Sequence, residues 1–526
     1  MSAVGSRSPA SAGAGSDPVG WVPTPEPPSL WLQVLLALLA AGLSAYTILW
    51  WISPHDEGLM LQAGARIASG QWPYRDFWMN YDPGQAVVLA LLQKIFGPSL
   101  LTWRVMVTAI DALVSVLAYR LARRRAPEPY ALGVWLAVAG AMAYPSLPGP
   151  NPPALALAFA AVLAARRRPG LAGALAGIAC FFRLELGIAA IAGVLLEAAP
   201  RERRRALLIA LGCAIVMLGP FFAAAPGAML HDTIGFYAIQ DLQRLPFPLS
   251  YHGPLTVGKL TDFYIPLILV VGAAIWAGAI ALARLDAHRG PAGSEDLGVL
   301  SLAPLALIGL AYLLGRTDEF HLVPLAAVLP VMLAWAAASA RRRAVQVVLL
   351  VALGLIAFHG LERRAGQVLH PPALAAVPGP AGDGVETTVS DAHALAALER
   401  ELNAITRPHE PIFVANPRFD LVHAGDPLLY IITGHPNPTR YDVMQPGVVT
   451  TASVQRQMIA SLERSHTRVV VRWLSPLATL VEPNGAGRSS SVNILGRYIA
   501  ARFRPIARFG DYQVLLRRGA GARPPA

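Results

Sequence analysis

Eleven apolar runs, interrupted at alternate junctions by short arginine clusters, leave this chain few folds to choose from. The runs fall at roughly 30–52, 99–122, 130–145, 152–166, 169–182, 184–199, 206–225, 263–284, 298–315, 321–339 and 344–360. About 20 apolar residues in a helix cross the hydrocarbon core of a bilayer, where each backbone N–H and C=O must be bonded internally. The first run, LWLQVLLALLAAGLSAYTILWWI, ends in no small-residue cleavage site and is followed by further runs, so it reads as a span and not as a signal peptide. Several runs are shorter than an ideal span, and their Ala and Gly content suits close packing in a bundle. The predicted fold class is an α-helical polytopic membrane protein with about eleven transmembrane helices.

The arginine clusters set the orientation. Arg123-Arg124-Arg125, Arg166-Arg167-Arg168, Arg201 with 203–205, Arg284 with Arg289, and 341–343 all fall at alternate junctions. Cytoplasmic loops are enriched in Lys and Arg, so one orientation satisfies all five, with the N-terminus inside and the C-terminus outside. The chain carries a net charge of +11, and Lys94 and Lys259 are its only lysines. Short clusters between apolar runs are a topology signal, and no nucleic-acid partner is expected from them. Cys180 and Cys213 both lie inside apolar runs and offer neither a disulfide framework nor metal-ligand spacing.

Three regions follow. Residues 1–28, rich in Ser, Gly, Ala and Pro, form a disordered cytoplasmic tail. Residues 29–360 form the transmembrane domain, with a first outer loop at 53–98 and a short apolar helix at 84–97 lying at or re-entering the interface. Residues 361–526 begin with a Pro/Gly linker at 371–384. Helical patterns at 391–404, 453–465 and 492–503 then alternate with strand-like runs at 411–415, 468–473 and 512–517. That alternation predicts a small extracytoplasmic α/β domain.

Only 14% of the chain is charged, yet the first outer loop carries Asp56, Glu57, Asp76 and Asp82 with Arg66, Arg75 and several aromatics. Asp56 and Glu57 precede an apolar helical run, and neighbours on a helix diverge by about 100°. One of the two can therefore face a cavity while the other caps or pairs. Arg183 and Glu185 interrupt two apolar runs, and ionisable groups at membrane depth are functional candidates. The segment 226–262 adds His252 and Lys259, and the turn RTDEFH adds Arg316 and His321. Arginine in such places grips phosphate through paired donors. Asp56, Glu57 and Asp76 could hold a divalent cation, but no residue pattern requires one, and no cofactor is expected. There is no GxxxxGK[ST] loop, HExxH helix or GxSxG elbow.

The order of these features resembles the lipid-phosphate-sugar-dependent membrane glycosyltransferases of the GT-C fold, the superfamily of protein mannosyltransferases and bacterial aminoarabinose transferases. The likeness rests on a first span, the pair Asp56-Glu57, the stretch RIASGQWPYRDFW with Tyr74, Arg75 and Asp76, Pro83-Gly84 opening a short helix, and a span near Arg104. The RTDEFH turn, NPTRYD at 437–442 and the closing FGDYQVLLRR extend it over nearly the whole chain past the tail. The resemblance implies a multi-pass protein of the bacterial plasma membrane. Its donor would be a polyprenyl-phosphate-linked sugar, and its acceptor an envelope glycan, lipid or protein. Asp56 would be the general base of an inverting transfer, supported by Glu57 and Asp76. Tyr74, Arg75, Arg183, His252, Lys259, Arg316 and His321 would bind sugar and phosphate. The long luminal repeats of the eukaryotic mannosyltransferases are missing, so a protein acceptor is not implied. Two other classes compete: a transporter or flippase of lipid-linked sugars, which would show repeats and a continuous polar path, and a noncatalytic membrane scaffold, which would not need the acid cluster.

Overall fold

The computed structural model describes residues 28–244, 272, 297–316, 319–340, 342–482 and 484–519. The tail through residue 27, the run at 263–284 apart from residue 272, Arg284, Arg289, Arg341, His252, Lys259 and Asp318 lie outside the described residues. The helical part starts with α1 (Leu30–Ala45) and two loop helices, α2 (Asp56–Ala68) and α3 (Gly84–Phe96). It continues with α4 (Leu100–Arg123), α5 (Glu128–Met142), α6 (Asn151–Ala164), α7 (Pro169–Phe182), α8 (Leu184–Glu197) and α9 (Pro200–Ala224). The short α10 (Pro226–Asp232) and α11 (Phe236–Gln240) precede α12 (Ala303–Gly315), α13 (Glu319–Ser339) and α14 (Arg343–Leu369).

Ten of the eleven predicted runs fall on these helices. By length and composition, α4, α9, most of α13 and α14 could each cross a membrane. In contrast, α6, α7 and α8 have 14 residues each, or about 21 Å of helix against a hydrocarbon core of about 30 Å. Small residues let these short helices pack closely. Gly173 and Gly177 lie one turn apart on α7, and a Cβ at either would overlap the carbonyl of Ala206 or Ala210 on α9. Larger side chains, among them Phe159 of α6 and Trp335 of α13, fill the centre of the bundle with α4 and α5.

The first run is helical only as far as Ala45, short of the predicted residue 52. The reason is distant in sequence. Arg104, near the start of α4, donates to the carbonyls of Ile48, Trp50 and Trp51, and Trp51 has a positive φ of 59°. These carbonyls find their partners in a guanidinium and not in a continuing helix. The loop helix α3 has one buried and one open side, with Ala86, Leu89 and Ala90 buried and Leu91, Ile95 and Phe96 exposed.

Beyond α14, which runs past residue 360 to Leu369, the chain becomes mixed. A hairpin of β1 (Leu374–Ala376) and β2 (Glu386–Thr388) leads into α15 (Val389–Ile405). The Thr388 hydroxyl caps α15 by accepting from the Asp391 amide at 3.1 Å. A four-stranded sheet follows, built of β3 (Ile412–Ala415), β4 (Val469–Trp473), β5 (Phe503–Phe509) and β6 (Tyr512–Arg517) in the order β3-β4-β6-β5. The β3/β4 pair is parallel and the other two pairs are antiparallel. Between strands lie α16 (Leu428–Thr433), α17 (Ala452–Arg464) and α18 (Ile494–Arg502). The sheet is not separate from the first loop. Met60, Leu61, Leu89 and Trp103 share one core with Leu428, Leu429, Val469 and Val471. Gly58 is the point of closest approach, since a Cβ there would overlap the Leu428 backbone.

Candidate active site

The C-terminal part grips the first loop at its base. The Arg66 guanidinium meets the Asp442 carboxylate at 2.6 Å, with both side chains buried, and donates to the Thr439 carbonyl and the Gln71 amide oxygen. Asn437 donates to Asp442 at 2.8 Å. The NPTRYD segment is thus the socket for Arg66. The Arg440 carbonyl accepts from the Trp78 amide, and the Arg440 guanidinium donates to the Tyr74 carbonyl. Charge-assisted bonds of this kind are the strong ones, and together they fix the loop above the helix ends.

The loop, the helix ends beneath it and the C-terminal part enclose a cavity of about 790 Å³. Asp56, the first residue of α2, lines it and is exposed, with its amide donating to the Ser53 hydroxyl at 3.3 Å. Arg183, Arg316 and His321 line the same cavity, so four of the predicted residues stand around one space. Arg183 sits at the break between α7 and α8 and is 7% exposed. It pairs with Glu185 and lies over the Tyr312 ring at 4.7 Å and the Tyr81 ring at 5.6 Å. Among the described residues its buried Nε has no hydrogen-bond partner, and neither has the buried Oδ1 of Asn80 on the same cavity. Buried polar atoms are nearly always bonded, so an orphan pair at a cavity wall suits a ligand. Arg316 is committed differently, holding Glu482 of the C-terminal part through two bonds of 2.5 and 3.0 Å. His321 stacks against Tyr312, with ring centroids 4.4 Å apart.

Glu57 is placed differently from the prediction that it supports Asp56. Its side chain turns away from the cavity into a buried bidentate pair with Arg104, at 2.8 and 2.9 Å. The roughly 100° step between helix neighbours separates the two acids. Asp76 and Arg75 also stand away from the cavity lining. They pair with each other at the loop rim at 2.8 Å, and Asp76 accepts from the Trp72 amide. Arg75 holds the Asp76 carboxyl below its usual range, mainly through their hydrogen bond. Tyr74 is buried in another cluster, where its hydroxyl donates to the Tyr81 carbonyl. With Glu57 and Asp76 so committed, the carboxylates considered for a cation are dispersed, and the described residues gather no group of three His, Cys, Asp or Glu that could hold a metal ion.

Several lining residues escaped the sequence reading. His55 accepts from the Gly425 amide at Nδ1, at 3.3 Å. A backbone N–H can only donate, so a neutral ring carries its proton on Nε2. His423 and Glu482 come from the C-terminal part, with Nδ1 and Oε1 3.6 Å apart. Burial pushes the His423 pKa below its ordinary value, while the Arg316 bonds outweigh burial at Glu482 and hold that carboxyl low. Asp82 also lines the cavity and is buried, and its Oδ2 accepts from the Leu184 amide at 2.8 Å. Burial pushes its pKa up to about 7. Asp82 was visible in the sequence as a fourth loop carboxylate, but only folding brings it to the start of α8.

With the geometry in view, the fold can be compared with known proteins. No protein-family model matches the chain, and no curated protein matches it in sequence. Solved structures do match. The structure of ArnT from Cupriavidus metallidurans bound to undecaprenyl phosphate superposes with a TM-score of 0.52 at 17% identity, covering 94% of this chain and 99% of that one. The archaeal oligosaccharyltransferase AglB from Archaeoglobus fulgidus, in complex with an inhibitory peptide and a dolichol-phosphate, gives 0.51 at 10% identity, over 85% of this chain and 70% of that one. The chain therefore has the polytopic GT-C architecture that its motif order implied.

Proposed function

We propose that this chain is an inverting membrane glycosyltransferase that takes its sugar from a polyprenyl-phosphate donor. The observation that carries this reading is the shared cavity, in which a carboxylate at the start of α2 faces a buried arginine with a donor to spare. Its support is the fold, which in ArnT holds undecaprenyl phosphate and in AglB dolichol-phosphate. Asp56 takes the proton from the acceptor hydroxyl as the oxygen attacks the anomeric carbon. The bond from that carbon to the phosphate oxygen breaks on the opposite face, its electron pair stays with the phosphate, and the configuration inverts. Arg183 stabilises the charge that develops on the leaving phosphate. A phosphate leaves without prior protonation, so one base suffices where glycosidases use two carboxylates.

On this reading the face with the arginine clusters is cytoplasmic, as the positive-inside rule expects, the cavity is outside, and the membrane is the plasma membrane of a bacterium. Lys94 is then on the outside, and residues 361–526 form the extracytoplasmic part. No nucleotide-sugar pool exists there, which is why the donor is carried by lipid. The acceptor is an envelope glycan, lipid or protein.

The test uses purified protein in lipid nanodiscs with a polyprenyl-phosphate sugar, and follows release of polyprenyl phosphate by mass spectrometry. Asp56→Asn is expected to abolish transfer while keeping the native elution volume and helix content. Transfer at the native rate in this variant would sink the assignment of the base.

A further inference from the structure

The described groups around the cavity do not balance in charge. Asp56, Asp82, Glu185 and Glu482 face two guanidinium groups, Arg183 and Arg316. A phosphodiester would add another negative charge to this excess. Two of the four carboxylates, Glu185 and Glu482, are already tied to Arg183 and Arg316, and Asp56 has to be ionised to act as a base. Of the four, Asp82 is the buried one with no cation bonded to it among the described residues.

We propose that Asp82 is a proton-bearing member of the phosphate subsite, taking up a proton when the lipid phosphate binds and keeping it while its O–H donates a hydrogen bond to a phosphate oxygen. This rests on the lipid-phosphate reading above. The geometry divides the carboxyl group between two tasks. Oδ2 accepts from the Leu184 amide at the first turn of α8, 2.8 Å away, and fixes the break that carries Arg183. Oδ1 makes no hydrogen bond to a described residue, and Asp82 lines the cavity. In the acid form, Oδ1–H is a donor beside the guanidinium, and in the carboxylate form it repels the ligand.

The groups facing Asp82 come from every neighbouring element. Arg183 stabilises its ionised form, whereas Glu185 of α8 opposes it. Tyr74 of its own loop, Cys180 of α7 and Tyr237 of α11 also feel its charge, and the two tyrosines are neutral near pH 7. The cavity is also lined by His55, His321, His423 and the Arg316–Glu482 pair. Burial outweighs the Arg183 cation and pushes the Asp82 pKa to about 7. An incoming anion raises it further. Affinity is therefore full below about 7, falls as the pH rises through the interval between the free and bound values, and levels off above it.

Undecaprenyl methyl phosphate is a suitable probe, because a phosphodiester keeps a single charge from pH 6 to 8.5. Its binding to the full chain in nanodiscs is measured by intrinsic tryptophan fluorescence across that range. The native chain should bind roughly tenfold more weakly at pH 8.5 than at pH 6, the effect of a one-unit shift. Asp82→Asn, whose amide always donates, should bind about as tightly as the native chain at pH 6, with a flat profile. A flat native profile, or an Asp82→Asn profile that falls like the native one, overturns the role of Asp82 alone. If Asp82→Asn does not fold, the native profile still decides. No binding by the native chain at any pH overturns the lipid-phosphate reading and this inference with it.

Discussion

Both faces of the helix bundle gather arginines and carboxylates, and they use them in opposite ways. On the arginine face, Glu197 at the end of α8 is 3% exposed in its side chain and lies within ion-pair distance of Arg124, Arg125 and Arg166. Arg124 also donates to the Val162 and Leu163 carbonyls, and Arg125 lies over the Trp335 ring at 5.3 Å. Two junctions are thus pinned to one carboxylate at a third. On the opposite face, a comparable number of charges surrounds a cavity of about 790 Å³, with the Arg183 Nε and the Asn80 Oδ1 left without partners. The same residue types make a staple where one buried carboxylate is answered by three guanidinium groups, and a binding site where some groups are left for a ligand. Burying polar groups without partners costs free energy, so unanswered groups locate function better than charge density does.

This contrast predicts that substitutions on the cavity face reduce activity at constant stability, while those in closed pairs do the reverse. The largest effect is expected at Asp56. Removing a general base costs on the order of 10²–10⁴-fold in rate, so Asp56→Asn should lower kcat by at least that much with an unchanged unfolding temperature. Arg183→Gln should follow with a loss of about 10²-fold or more, read as slower release of polyprenyl phosphate under saturating donor. The counter-test is Arg104→Gln. It leaves Glu57 buried without its cation and strips three carbonyls of their donor, which should destabilise the chain by about 3–5 kcal/mol. Thermal unfolding followed by circular dichroism checks this. A stable Arg104→Gln protein that binds donor but does not turn over would place the Glu57 pair among the catalytic groups and break the contrast.

What the sequence makes legible follows the range of the interaction that decides each feature. Span positions depend on local apolar content, and ten of eleven fall on helices. The split between Asp56 and Glu57 was open to reading because helical geometry alone separates neighbours. By contrast, the end of α1 unwinds because of Arg104, more than fifty residues later. Asp82 precedes Pro83-Gly84 and so reads locally as a turn former; its bond to the Leu184 amide belongs to the folded chain. His423 and Glu482 lie outside the motifs and elements read in the C-terminal region, and tertiary packing alone carries them to the cavity. Strand β5 went unread for a different reason. It is an edge strand with Arg504, Pro505 and Arg508 and an irregular register near Pro505, features that protect edges and hide the strand pattern.

The smallest effect is expected at the loop rim, where it separates position in sequence from position in space. Asp76 lies in the motif that carries the family resemblance, yet it pairs with an exposed Arg75 and stands away from the cavity lining. Exposed ion pairs contribute little to stability. The sign of the pH dependence follows from the lowered carboxyl: whatever the pair contributes is complete above the ordinary value of 3.8 and is lost as the pH falls through the lower folded value. Near neutral pH, Asp76→Asn should therefore leave both thermal unfolding and sugar transfer within twofold of native, a limit consistent with the small worth of such pairs. Steady-state kinetics with lipid donor measures it. If Asp76→Asn folds natively but loses transfer as Asp56→Asn does, the rim belongs to the active site, and the loop must close over the cavity during the reaction to bring it there.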